Sequence, residues 1–419
     1  MSRRAPRHQS QLQIYKKIRT KQNFFQSFCE RAVGIGCWLL AKKLKKVWWC
    51  QIFFVTLHCE KNRNEKNRNM RNPFKFGTIV EDQYFTDRIE ENNYIRRFLE
   101  SENHLVLISP RRFGKSSLIN KVLKETGRKS IFINMQNVIS VQNFACRLMS
   151  ALLKLYPMEK LRHLITHFRF VPTVSTNMVT GSVDVSFMPD VDSSVLLEDA
   201  MALLDRVASE ENRMIVVLDE FQEVLGIGKG FDRQLRSIMQ MQKHVNYIML
   251  GSQESMMEGI FEKKKSSFYH FGQLMRLSKI PYDDFFEYVA AKLPEDVARQ
   301  ILDFTSCHPY YTQQLAYHVW DAMHYEDVKE GVLAFAVDKI VALHDLDFDR
   351  LWLSLTRSER RVMQMMCEGK SNMLFRDRSV PTSTTFSVLR KLIQKGYVIK
   401  SETYEIEDPF FSCWIHSHS

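Results

Sequence analysis

The chain has 419 residues, 45% hydrophobic and 26% charged, which excludes a disordered polymer and leaves room for two or three domains with buried cores. Its 59 Lys and Arg against 48 Asp and Glu give a formal charge of +11, ordinarily the mark of a nucleic-acid or membrane partner. Residues 1–69 hold 16 of those basic residues and only 3 acidic ones, leaving 43 basic against 45 acidic in residues 70–419, so the excess belongs to the N-terminal stretch alone.

In that stretch Ala32 to Ala41 is apolar, and VWWCQIFFVTL resumes at Val47 after Lys42, Lys43, Lys45 and Lys46. Neither run reaches the roughly 20 residues that span a bilayer, and the lysines would sit near its centre. No integral membrane segment is therefore expected. The absence of an A-x-A site after the first run argues against a signal peptide. Two readings remain for residues 1–69: a cationic peripheral membrane segment, or a basic extension translated upstream of the native start. The low-complexity KNRNEKNRN just before Met70 favours the second, with native translation beginning at Met70. The eight cysteines form no C-x-x-C pair and no zinc-type spacing, so they read as reduced thiols of a cytoplasmic protein.

From residue 70 the turn-rich NPFKFGTIV comes first, and Asp87 followed by Glu90 predicts a capping box opening a helix with Ile95, Phe98 and Leu99 on one face. HLVLIS (His104 to Ser109) reads as a buried strand, Gly114 to Leu123 as a helix, and SIFINM (Ser130 to Met135) as a second strand. Strand, helix, strand predicts an α/β parallel sheet. A helix carrying Phe144, Leu148 and Leu152 follows. Residues 168–187 then alternate around Thr180 and Gly181 as an inserted β-hairpin. Helix Ser194 to Ser209 leads to MIVVL (Met214 to Leu218), apolar throughout like a strand covered on both faces. YIML (Tyr247 to Leu250) is a fourth strand and QLMRLSKI (Gln273 to Ile280) a fifth; Tyr282 to about Leu343 reads helical.

The chemistry sits where the first strand meets its helix. SPRRFGKSS comprises Ser109, Pro110, Arg111, Arg112, Phe113, Gly114, Lys115, Ser116 and Ser117. Except for Ser109 in place of the first glycine, it matches G-x-x-x-x-G-K-[ST]. Backbone N–H groups of such a loop cradle phosphate oxygens, and Gly114 permits the close approach. Lys115 would reach the β and γ phosphates and Ser116 would offer its hydroxyl to Mg²⁺. Ser109 predicts a positive-φ penalty at the start of the loop. Asp219, after MIVVL, would hold Mg²⁺, and Glu220 beside it is placed to polarise the attacking water. Ser252 and Gln253, at the tip of the fourth strand, are candidates for contact with the γ phosphate or the water.

These residues resemble the archaeal-type ATPases of the AAA+ and STAND branch of P-loop NTPases. The resemblance runs from Asn72 to Ile415 and rests on FTDRIEE, SPRRFGKSS, VVLDEFQE, GSQ, SFYHFG, TSCHPYYTQQLA and EIEDPFFSCWI, in that order. It implies binding of ATP with Mg²⁺ and an α/β fold with a parallel sheet ordered 5-1-4-3-2 within residues 70–281. It also implies a helical lid over 282–350 and a C-terminal winged-helix domain over 351–419. Cys307, His308 and Pro309 match the lid's G-x-P motif with cysteine for its glycine, and the proline of that motif approaches adenine. The same three residues read locally as a helix start with proline near its first turn. His270 stands where relatives carry an arginine, so the resemblance assigns no arginine finger.

In the C-terminal region Leu355 to Gly369, Thr382 to Ile399 and EIEDPFF read as helix, linker, helix and wing, with Phe386, Leu389, Leu392 and Ile393 on one apolar face. Lys370 to Lys400 holds seven basic residues (Lys370, Arg376, Arg378, Arg390, Lys391, Lys395, Lys400) against Asp377. That is a candidate DNA-phosphate footprint, with a protein-contacting face as the alternative. Two functions compete: an ATP-hydrolysing switch answering to an unidentified protein client or signal, and a nucleotide-gated DNA-binding or scaffold protein with negligible hydrolysis. The intact Glu220 favours the first; Ser109 and His270 favour the second.

Overall fold

A computed structural model describes residues 71–418, apart from 80–83, 87, 157–160, 162–172, 177–182, 187–191, 327, 329, 369–373, 375–381 and 401–402. The basic extension, the hairpin tip at Thr180 and Gly181, and Lys370, Arg376 and Arg378 of the basic patch lie outside the described residues.

Five parallel strands form the central sheet: β1 (Leu105–Ile108), β2 (Ser130–Asn134), β5 (Met214–Asp219), β6 (Val245–Gly251) and β7 (Gln273–Arg276), in the order β2-β5-β6-β1-β7. Counting only these five, the order is 5-1-4-3-2, as expected. Between β2 and β5 the short strands β3 (Thr173–Thr176) and β4 (Val183–Ser186) pair antiparallel, Val174 opposite Val185. The period of two within each strand divides two cores. Val106, Ile108, Val216 and Leu218 face the helices Val141–Leu155 and Ser193–Val207. Leu105, Leu107, Ile215 and Val217 face Leu118, Ile119 and Val122 of the helix Lys115–Thr126. Both faces are covered, which is why MIVVL is apolar throughout.

A third core gathers Phe74, the helices from Tyr282 to Ser354, and the C-terminal elements. These last are the helices Arg357–Cys367 and Thr382–Gln394, the antiparallel pair β8 (Val398–Lys400) and β9 (Tyr404–Ile406), and the helix Pro409–His418. One cluster thus joins what the sequence divides at residue 350. Thr356 and Glu359 close a full capping box ahead of Arg357–Cys367.

One local expectation lies outside the described residues, and one fails. The first helix runs Ile89–Leu99 with Arg88 at its N-cap and no side-chain cap bond from that residue; Asp87, expected to cap it, lies outside the described residues. Arg88 is buried, pairs with Glu91, and donates to the carbonyls of Phe113 and Ser278. Arg88 thereby ties the start of this helix to the loop that follows β1. Phe386, expected on the apolar face, is 62% exposed, while Thr385, Val388, Leu389 and Leu392 are buried. The buried stripe is rotated by one position, with the small Thr385 facing inward.

Candidate functional site

At the end of β1 the chain turns through Ser109 to Gly114 and enters the helix Lys115–Thr126. Two residues of this loop are left-handed, Arg112 at φ 63° and Gly114 at φ 86°. Ser109 is not, which corrects the expected penalty there: it is fully buried, and its carbonyl and hydroxyl both accept from Lys115 Nζ, at 3.0 and 3.2 Å. Pro110 O accepts from the same ammonium at 3.0 Å. Burial pulls the Lys115 pKa down to about 8, against the raising influence of Glu220, Asp219 and Glu254. The ammonium is thus held taut under the loop, charged at neutral pH.

Facing it, Ser116 Oγ lies 3.4 Å from Asp219 Oδ2. Burial, with Glu220 adjacent, pushes the Asp219 carboxyl upward, as expected of an anion arranged to meet a cation. A hydroxyl and a carboxylate converging at the helix start are the hard oxygen donors that suit Mg²⁺. Glu220 sits on left-handed backbone at φ 52° and its Oε2 accepts from Ser252 Oγ at 2.6 Å and Gln222 Nε2 at 2.5 Å.

A cavity of about 700 Å³ opens over this cluster. Arg111 to Ser117, Asp219 and Glu220 line one side; Pro309, Tyr310 and Gln313 of the helix Pro309–Tyr325, with Lys75 to Ile79, line the other. The structure therefore brings Lys115, Ser116, Asp219, Glu220 and Pro309 around one space. Ser252 reaches it through Glu220. Gln253 lies in a neighbouring cleft with Pro110, Arg111 and Lys395. His270 lines a separate cavity with His104 and Phe271.

Sequence reasoning missed the wall from Lys75 to Ile79. Its signal was the turn at Gly77, left-handed at φ 74°, and the side-chain bonds that fix it are remote: Asn72 Nδ2 donates to Tyr317 O and Asp321 Oδ1. Also missed was a relay out of the loop. Arg112 lies over the Tyr310 ring, 4.6 Å to its centroid, and donates to Tyr311 Oη at 3.1 Å. Tyr311 Oη donates to Glu407 Oε2 at 2.6 Å. His308 caps the helix Pro309–Tyr325, its Nδ1 accepting from the backbone of Tyr310 and Tyr311. That leaves the proton on Nε2, 3.4 Å from Glu407 Oε1.

Cys307 replaces the glycine of the lid motif, and its φ of 58° is the conformation glycine supplies. Cys307→Gly is expected to stay within about 1 kcal/mol of wild type in chemical unfolding, because relief of strain offsets the lost thiol packing. Cys307→Val, β-branched at the same φ, should cost about 2 kcal/mol or more.

No protein-family model matches the sequence, and no curated protein matches it. Among solved structures, the Walker-type ATPase PABY2304 of Pyrococcus abyssi is similar at 16% identity and TM-score 0.60, over 82% of this chain and 99% of that one. The ORC2 protein of Aeropyrum pernix, in its ADPNP–ADP complexes, is similar at 14% identity and TM-score 0.47, over 82% of this chain and 98% of that one. With the Pyrococcus structure, the likeness establishes the fold: a P-loop NTPase sheet with its accompanying helices.

Proposed function

We propose that the chain binds ATP with Mg²⁺ and hydrolyses it as a molecular switch of the AAA+ and STAND type. The observation that carries this reading is the convergence of Lys115, Ser116, Asp219 and Glu220 on one cavity closed by Pro309 and Tyr310. The loop amides from Arg111 to Gly114 and the helix N-terminus hold the phosphates. Lys115 neutralises them, Ser116 and Asp219 hold the metal, and Pro309 and Tyr310 pack on the base. Mg²⁺, when bound, supplies charge neutralisation across the β and γ phosphates. Glu220 orients and deprotonates water once its carboxylate turns from Ser252 and Gln222 toward the nucleotide. The residues past 351 act as a winged helix that moves with the lid, in the cytoplasm, in answer to a protein client or signal.

Occupancy of Glu220 Oε2 by two donors favours the second reading, a nucleotide-gated DNA-binding or scaffold protein with slow turnover. Its DNA contact would use the patch from Lys370 to Lys400, where Arg390 and Lys391 are exposed and Lys395 is paired with Glu359. The nucleotide recovered from purified protein after incubation with MgATP separates the two readings. The switch reading expects ADP on wild type and intact ATP on Glu220→Gln; intact ATP on both contradicts it.

A further inference from the structure

Arg111 and Arg112 are neighbours with opposite fates. Arg112 is committed to the lid through Tyr310 and Tyr311. Arg111 is exposed and, among the described residues, makes no hydrogen bond or ion pair. The left-handed backbone at Arg112 lets the loop aim the two side chains differently.

The placement of Arg111 is specific. It lines the phosphate cavity together with Lys115, Asp219 and Glu220, and also the adjoining cleft together with Ser252, Gln253 and Glu254. Ser252 is bonded to Glu220, so Arg111 lines a cavity with the residue assigned to water and a cleft with that residue's hydrogen-bond partner. Its charge is felt at Lys115, whose pKa it helps to lower. The other cations at the cavity are engaged elsewhere: Lys115 by Ser109 and Pro110, Arg112 by Tyr311, and Lys75 over the Tyr84 ring at 5.8 Å.

We infer that Arg111 is a catalytic residue supplied in cis, its guanidinium meeting the γ-phosphoryl oxygens as negative charge gathers on them during transfer to water. This rests on the hydrolytic reading above. An arginine in that role stabilises the charge of the transferring group more than that of bound ATP. Water attacks phosphorus, the bond to the β-bridging oxygen breaks, and ADP and inorganic phosphate leave, with the water proton passing to Glu220. With the arginine carried by its own loop, each chain completes its own site and His270 need not substitute for a partner's arginine.

The test compares wild type, Arg111→Ala, Arg111→Lys and Arg112→Ala as full chains. Steady-state ATP turnover is read with the binding of ADP alone and of ADP with aluminium fluoride, a mimic of the transferring phosphoryl group. Arg111→Ala should lower kcat at least 50-fold with KM for ATP and ADP affinity changed less than 3-fold, and should lose the gain in affinity that aluminium fluoride gives wild type. Arg111→Lys should recover only part of kcat, since a point charge lacks the planar fork. Arg112→Ala should instead alter ADP affinity and thermal stability. Specific activity of wild type should stay constant from about 0.1 to 10 μM protein, as expected for an intramolecular group. Wild-type turnover with Arg111→Ala within 3-fold of it in kcat overturns the inference alone. So does an equal loss of ADP affinity, or activity rising steeply with concentration. Absence of wild-type turnover overturns the hydrolytic reading, and the inference with it.

Discussion

Lys115→Ala is expected to weaken ATP binding by about 100-fold, or about 3 kcal/mol, the size of a charge-assisted bond to phosphate in a buried site. Equilibrium binding of ATP to wild type and variant, at fixed ionic strength, reads this directly. Two effects add. The phosphates lose a buried ammonium, and Ser109 O, Ser109 Oγ and Pro110 O lose the donor that holds the loop in shape. A change below 5-fold would show that the nucleotide, if it binds, does so without the loop lysine.

The same residue sets a pH dependence with a definite sign. Burial lowers the Lys115 pKa to about 8, and the phosphates of a bound nucleotide would raise it again. Below about pH 7 the free protein already carries the proton and affinity should be flat. Above pH 8 binding must take up a proton, so affinity should fall as pH rises. The folding linkage has the opposite sign. The unfolded lysine holds its proton up to 10.5, so the cost of burying the charge is lifted as pH rises through 8, and this group alone favours the fold more at pH 9 than at pH 7.

Glu407→Ala should give the largest loss of stability, about 3 kcal/mol in chemical unfolding, because it strands buried donors. Tyr311 is 1% exposed and His308 1%, and both aim at this carboxylate. Burial holds the His308 pKa down, and its buried Nε2 approaches Glu407 Oε1 at 3.4 Å without a hydrogen bond to any described residue. Glu407→Gln keeps an acceptor for Tyr311 and should cost less. In a double-mutant cycle with Tyr311→Phe the two losses should fall short of additive by about 1 kcal/mol or more. Additive losses would mean that the contact between lid and C-terminal elements carries no energy of its own. Because Arg112 is bonded to that tyrosine, Glu407→Ala should also alter ADP affinity, as reciprocity between coupled sites requires.

The sheet was legible because its three central strands, β5, β6 and β1, are buried on both faces and therefore almost wholly apolar, and because β5 ends on the polar Asp219 with Glu220 after it. The loop was legible because SPRRFGKSS keeps the spacing of G-x-x-x-x-G-K-[ST] between a strand and a helix. Local patterns stopped short wherever a contact spans the chain. The cavity wall at Lys75 to Ile79 is anchored through Asn72 and Lys75, whose partners on the helix Pro309–Tyr325 lie 238 to 249 positions away. Arg88, which no local pattern singles out, donates to the carbonyls of Phe113 and Ser278. Arg111 and Arg112 were equivalent letters in the motif until Tyr310 and Tyr311 distinguished them. The amphipathic pattern after Thr382 identified a helix but placed its buried stripe one position off, since a threonine can face a core as readily as a surface.

Phosphate release from MgATP by the full-length wild-type chain, with Glu220→Gln measured beside it as background, tests the hydrolytic switch most directly. Steady turnover by wild type well above the variant, while both bind ATP, is the predicted result. Turnover by wild type no greater than that of Glu220→Gln would contradict it.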